Sequence, residues 1–156
     1  MSYTEQFTET HAVLAELAPS AANAVIGAHN SAWVSTAMYN RLFALIHAGE
    51  PTGATTLDMT VQQATTVGGA GPAKAITPQP AGAGTKSITQ LAAGDAGSYC
   101  GIEIRTEEMD VDGRFSFVRL VVTVGAAGVY YYSAFLFGLE PRYAQVGVTG
   151  WQEIIA

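Results

Sequence analysis

Only two lysines, Lys74 and Lys86, occur in 156 residues, and charged side chains make up 13% of the chain, against roughly 25% in an average soluble domain. Lysine is the residue that interfaces exclude and free monomers display. Its scarcity predicts a surface covered by protein in the working state. Basic clusters are missing too. With a formal charge of −6, the chain has no bank of Lys and Arg to neutralise phosphates, so no nucleic-acid partner is expected. The single cysteine, Cys100, cannot form an internal disulfide and reads as a small buried hydrophobe. No apolar run approaches the ~20 residues that a membrane-spanning helix needs, so no membrane partner is expected. The opening MSYTEQFTETH has no positive stretch of the kind that begins a signal peptide.

Chemistry is as sparse as charge. His11, His29 and His47 stand in separate contexts, none within four residues of another histidine or of the cysteine, so no metal site is expected. Asp110-Val111-Asp112-Gly113 has the opening of a calcium loop, but its glycine comes too early and strands follow; an Asp-Gly hairpin turn fits better. The Gly82–Ser87 run lacks the glycine-lysine step of a phosphate-binding loop, and no Gly-x-Ser-x-Gly elbow is present. Glu103, Glu107 and Glu108 lie on or beside a strand's wet face, where pairing with Arg105 or Arg119 is favoured over acid/base work. No catalytic residue and no cofactor are expected.

What the chain does have is β-pattern. Phe115–Val124 and Val129–Phe137 are apolar on both faces and are joined by Gly125-Ala126-Ala127-Gly128, which reads as a hairpin loop with positive-φ glycines. Two apolar faces imply a central strand or a surface given to another chain. Tyr39–Ala48 sets Leu42, Ala44 and Ile46 against Tyr39, Phe43 and Leu45, with Arg41 and His47; Gly49–Gly53 reads as the turn after it. Thr55–Ala64 alternates cleanly, with Leu57, Met59 and Val61 inward. Ser87–Leu91 and Tyr99–Glu107 are further strands, Gly138–Tyr143 a strand break around Pro141, and Ala144–Val148 and Trp151–Ile155 edge strands. Tyr130, Tyr131 and Tyr132, being consecutive, must point to both faces.

The fold class is therefore all-β: an antiparallel β-sandwich or jelly-roll-like domain of about seven or eight strands spanning 31–156. Residues 67–84, rich in glycine and proline, form a loop within it. Residues 1–30 form an N-terminal arm, extended or with a short helix, because Val13, Leu14 and Leu17 follow helical spacing and Pro19 ends the run. Candidate assembly-interface residues are Phe7, Val13, Leu14 and Leu17 in the arm, Tyr131 in the second apolar run, Glu140, Arg142 and Tyr143 around Pro141, and Trp151 near the end.

Tyr39-Asn40-Arg41 with its apolar strand, TTLDMTVQQATT, AKAIT, SITQL, IEIRTEEMDVDG, FSFVRLVVTVG and FGLEPRY together resemble the cement (decoration) proteins of tailed bacteriophages. The resemblance spans roughly residues 30–155, with a 67–84 loop longer and richer in Gly and Pro than the family pattern. It implies a virion structural protein on the outer capsid surface, made in the bacterial cytoplasm and typically trimeric. The phage major capsid protein is its implied partner, and neither catalytic residue nor cofactor is implied. Other readings are a tail-tube, tail-terminator or head–tail joining subunit and, from a different class, a carbohydrate-binding jelly-roll module using Tyr130, Tyr131, Tyr132 and Trp151.

Overall fold

Leu57, Met59 and Val61 are fully buried, while Asp58, Thr60 and Gln62 between them reach the surface. That period of two is what a strand with one covered face requires, and it recurs through most of the chain. The computed structural model describes residues 10–77, 85–125 and 128–142. It contains ten strands: β1 (His11–Leu17), β2 (Gly27–Asn30), β3 (Val34–Ser35), β4 (Tyr39–Thr52), β5 (Leu57–Ala64), β6 (Ala73–Ala75), β7 (Ser87–Leu91), β8 (Tyr99–Arg105), β9 (Phe117–Val124) and β10 (Val129–Pro141).

All pairings are antiparallel, in two sheets. The first runs β1-β10-β4-β8; the second runs β2-β9-β5-β6, with β3 also on β9 and β7 also on β5. The ten strands fill eight positions. β2 and β3 lie end to end along β9, and β6 and β7 lie end to end along β5. Every connection between positions except β5 to β6 crosses from one sheet to the other. This is the two-sheet arrangement of a jelly roll. Leu42, Ala44, Ile46, Ile104, Tyr130, Ala134 and Leu136 of the first sheet meet Leu57, Met59, Val61, Val118, Leu120 and Val122 of the second, each completely buried.

Several sequence expectations need correction. β9 and β10 are not a hairpin; they are inner strands of opposite sheets, which is why both carry so much apolar surface. Gly125 is a point of close approach rather than a positive-φ residue: its N–H donates to the Thr56 carbonyl at 2.8 Å, and an added Cβ would lie 2.5 Å from the Thr56 hydroxyl. The Asp110–Gly113 turn likewise joins the two sheets, held by the Gly113 N–H donating to Asp110 Oδ1 at 2.8 Å.

The expected helix in the arm is strand β1, and Gly27–Asn30, also placed in the arm, is strand β2. In β1, Val13 faces Phe137 and Ala15 faces Leu136, so Leu14 is a bulge. One extra residue lets both Ala12 and Leu17 turn inward, and this irregular spacing imitates a helical one. The turn expected at Gly49–Gly53 begins only at Gly53: β4 continues to Thr52 past a second bulge, where Tyr130 pairs Pro51 and Tyr132 pairs Ala48. The Gly/Pro-rich loop contains β6 and is an excursion from a single strand position; the Lys86 N–H donates to the Ile76 carbonyl at 3.0 Å, closing its base. Nor does Gly138 break β10, since Gly138 pairs Leu42 and Pro141 pairs Tyr39. The expected edge strands 144–148 and 151–155 lie outside the described residues.

Candidate functional site

The two sheets differ in how much apolar surface they present to the outside. On the second, the outward residues of β5 and β9 include Asp58, Thr60, Gln62, Arg119 and Thr123. Arg119 donates to Gln62 Oε1 from Nε at 3.0 Å and Nη2 at 2.8 Å, and its guanidinium lies 4.5 Å over the Trp33 ring. With Phe117 and Val121 between them, these residues make a mixed, largely polar face. On the first sheet, Phe43 and Leu45 of β4 and Phe135, Phe137 and Leu139 of β10 point outward and are half-buried. Val13, Phe137 and Phe43 are in register across three adjacent strands, with Phe135 opposite Leu45 in the next outward row. Gly101 lets the Phe43 ring lie flat on β8; a Cβ there would meet the ring at 2.5 Å.

Charge is gathered at one end of this apolar face. Five of the seven cations, Arg41, Lys74, Lys86, Arg105 and Arg142, lie around the short 3-10 turn Thr106–Glu108. Arg41 bridges Glu103 and Glu140, the latter at 3.0 Å. Lys86 pairs with Glu108 at 2.6 Å, both side chains less than 20% exposed, while Lys74 pairs with Asp110. Burial pushes the Glu108 carboxyl up, but hydrogen bonds from the Lys86 ammonium and the Arg105 N–H, with the charges of both, outweigh it and leave it below the ordinary carboxylate range. The Lys74 hydrogen bond holds Asp110 low as well. Arg142 donates from Nε to the Tyr39 carbonyl at 3.3 Å and from Nη2 to Thr106 Oγ1 at 3.1 Å, fastening the end of β10.

The ion pairs border two open clefts. One of about 400 Å³ is lined by Asn40, Arg41, Arg105, Thr106, Glu107 and Glu140; the other, of about 510 Å³, lies beside Lys74 and Glu107–Asp112. Their size would admit a small molecule, but their walls are mutually paired charges where ligand sites have apolar lining and a few convergent polar groups. Carboxylates held low by cations are poor general acids at neutral pH.

Of the residues singled out from sequence, Val13 faces outward in the apolar rows, Tyr131 is 47% exposed on the same face, and Glu140 and Arg142 join the charged end. Leu17 is core, and Leu14 packs against the core from its bulge. Phe7, Tyr143 and Trp151 lie outside the described residues. Sequence reasoning passed over Phe43, Leu45, Phe135, Lys86 and Glu108 as site residues. The doubly apolar runs already signalled the first three; Lys86 and Glu108 carried no local signal, because the fold brings them together from distant segments.

Among the described residues, no group of three His, Cys, Asp or Glu is placed to hold a metal ion. No helix there is long and apolar enough to cross a membrane. His29 Nε2 donates to the Val25 carbonyl at 2.9 Å, and His47 stacks on Tyr99 with ring centroids 4.4 Å apart. Tyr130 and Tyr132 are buried while Tyr131 is exposed, so the three rings make no common platform. No protein-family description matches this sequence, and no curated protein matches it. Among solved structures, the chain is similar to one from the cryo-EM structure of broad bean stain virus, at 8% identity and a TM-score of 0.38 over 81% of this chain. It spans 66% of that chain's length, just under two thirds.

Proposed function

We propose that this chain is a structural virion protein, a cement or decoration protein that oligomerises, as a trimer, on the outer surface of a tailed-phage head. There it clamps neighbouring major capsid subunits and performs no catalysis. The motifs of residues 30–155 support the family reading. One structural observation carries the role: the outer face of the first sheet sets Val13, Phe137, Phe43, Phe135 and Leu45 side by side, with ion pairs at one end, an arrangement suited to contact with protein rather than to chemistry. The jelly-roll arrangement is used by viral shells and by lectins alike. With Tyr130 and Tyr132 in the core, the tyrosine-based sugar-binding reading loses its platform.

Mass spectrometry of purified virions with copy counting tests this directly. Hundreds of copies per particle are expected, with cryo-EM density outside the shell. A ring of a few copies at the portal would instead assign it to head–tail joining, and copies stacked along the tail to the tube. Absence from the particle would end the virion reading.

A further inference from the structure

We infer that the outer face of the first sheet is where a second copy of this chain docks. This rests on the oligomeric reading above and assigns it a surface. Four adjacent strands present this face, and its centre is the row Val13–Phe137–Phe43 followed by Phe135–Leu45. The Phe135 and Phe137 rings stand 6.1 Å apart, centroid to centroid. The outer face of the second sheet carries Asp58, Thr60, Gln62, Arg119 and Thr123 at the corresponding depth, with Ala64, Phe117 and Val121 among them, so the larger group of outward apolar side chains is on the first sheet. Sheets solvated on one side keep polar residues there; here they surround an apolar centre, with Glu103 beside Phe43, Glu16 beside Phe135 and Ser133 beside His47.

Size and rim point to a copy of the same chain as the occupant. Four strands at ~4.8 Å spacing and a longest strand of ~45 Å give a face of roughly 900 Å² at most, the order of the ~800 Å² that each partner contributes to a stable interface. At one end the rim carries both signs: Arg105 and Glu107 are 65% and 74% exposed and Glu103 is 60% exposed. A polyanion would meet acids there, whereas another copy offers the same mixture of cations and acids for pairing. The opposite end carries the stacked His47–Tyr99 pair and exposed Tyr131, rings of the type enriched at protein interfaces.

The test is sedimentation velocity at low micromolar concentration on the full chain. Wild type should sediment as a multimer; Phe43→Glu with Phe137→Glu should sediment as the 16.3 kDa monomer. Thr60→Glu with Thr123→Glu, the matching change on the polar face, should remain multimeric. Should the Phe variant fold poorly, Leu45→Cys in a Cys100→Ser background gives an independent readout. A thiol cross-linker should join chains through position 45 but not through Thr60→Cys. A multimer that survives the Phe substitutions and shows no cross-link at 45 overturns this surface while leaving the oligomer standing. A monomeric wild type overturns the oligomer and this inference with it. If truncation after Arg142 leaves the mass monomeric yet newly exposes position 45 to a maleimide, the chain's own last residues occupy the face and the inference fails.

Discussion

Tyr130 and Tyr132 are neighbours in kind and opposites in circumstance. Tyr130 is fully buried and its hydroxyl donates to the Ala92 carbonyl at 3.0 Å. Tyr132 is 3% exposed and its hydroxyl has no partner among the described residues. A buried unpaired hydroxyl forfeits its water without compensation, whereas a paired one returns a modest net gain. Tyr132→Phe should therefore raise stability by ~1 kcal/mol and Tyr130→Phe lower it by about as much, as read from urea midpoints. Burial also pushes the Tyr132 phenol up to about 12 from 10.0. Its folded value is the higher one, so stability is undiminished below the unfolded value and falls as pH rises from about 10 to about 12. Tyr132→Phe should remove part of that alkaline decline. At the acid end the sign reverses. Glu108 is held below its ordinary 4.5, so its pairing with Lys86 stabilises above that pH and is lost as pH falls through the folded value. Glu108→Gln should lower stability at pH 7 by roughly 1–2 kcal/mol and make the acid limb shallower. Arg142→Ala removes the bonds to Tyr39 and Thr106 and should lower the melting temperature by a few degrees; an unchanged melt would reduce it to a surface arginine.

Among the elements, β1 is the one whose role differs most from its sequence. It pairs with β10 over Leu17–His11 and puts Ala12 and Leu17 into the core. Deleting residues 1–18 would uncover an inner strand's edge and open the core, so the truncated chain should lose its cooperative melt. A native-like melt would show β1 to be dispensable. In the full chain, hydrogen exchange should find the paired amides of β1 protected along with those of β10. β5 and the inward side of β4 were legible in the sequence because nothing interrupts their period of two. β1 was not, since its bulge at Leu14 shifts the period by one residue. The partnership of β9 and β10 was misread for a different reason: a short glycine-bounded loop between apolar strands looks the same whether the chain turns back in its own sheet or steps to the facing one. The apolar part of the candidate surface could be seen in the doubled faces of Phe43, Leu45, Phe135 and Phe137. The charged end could not, because Arg41, Lys86, Glu108, Glu140 and Arg142 come together only after the sheets close.

For the molecule as a whole, so many sheet-to-sheet crossings mean that few stabilising contacts are local. Chain closure has to be met before pairing rewards it, and folding from urea should take milliseconds to seconds when followed by stopped-flow fluorescence. A microsecond phase accounting for the full amplitude would contradict the crossed topology. The Lys86 N–H bond to the Ile76 carbonyl holds the two ends of the 77–85 excursion together at 3.0 Å, between β6 and β7 on the same strand position. With its base already closed, each doubling of the excursion's length costs only ~0.6 kcal/mol. A foreign peptide spliced between Pro80 and Ala81 should thus be carried with little change in melting. If copies of this chain tile a particle, a peptide carried between the paired Ile76 and Lys86 would repeat an epitope or an affinity handle once per subunit.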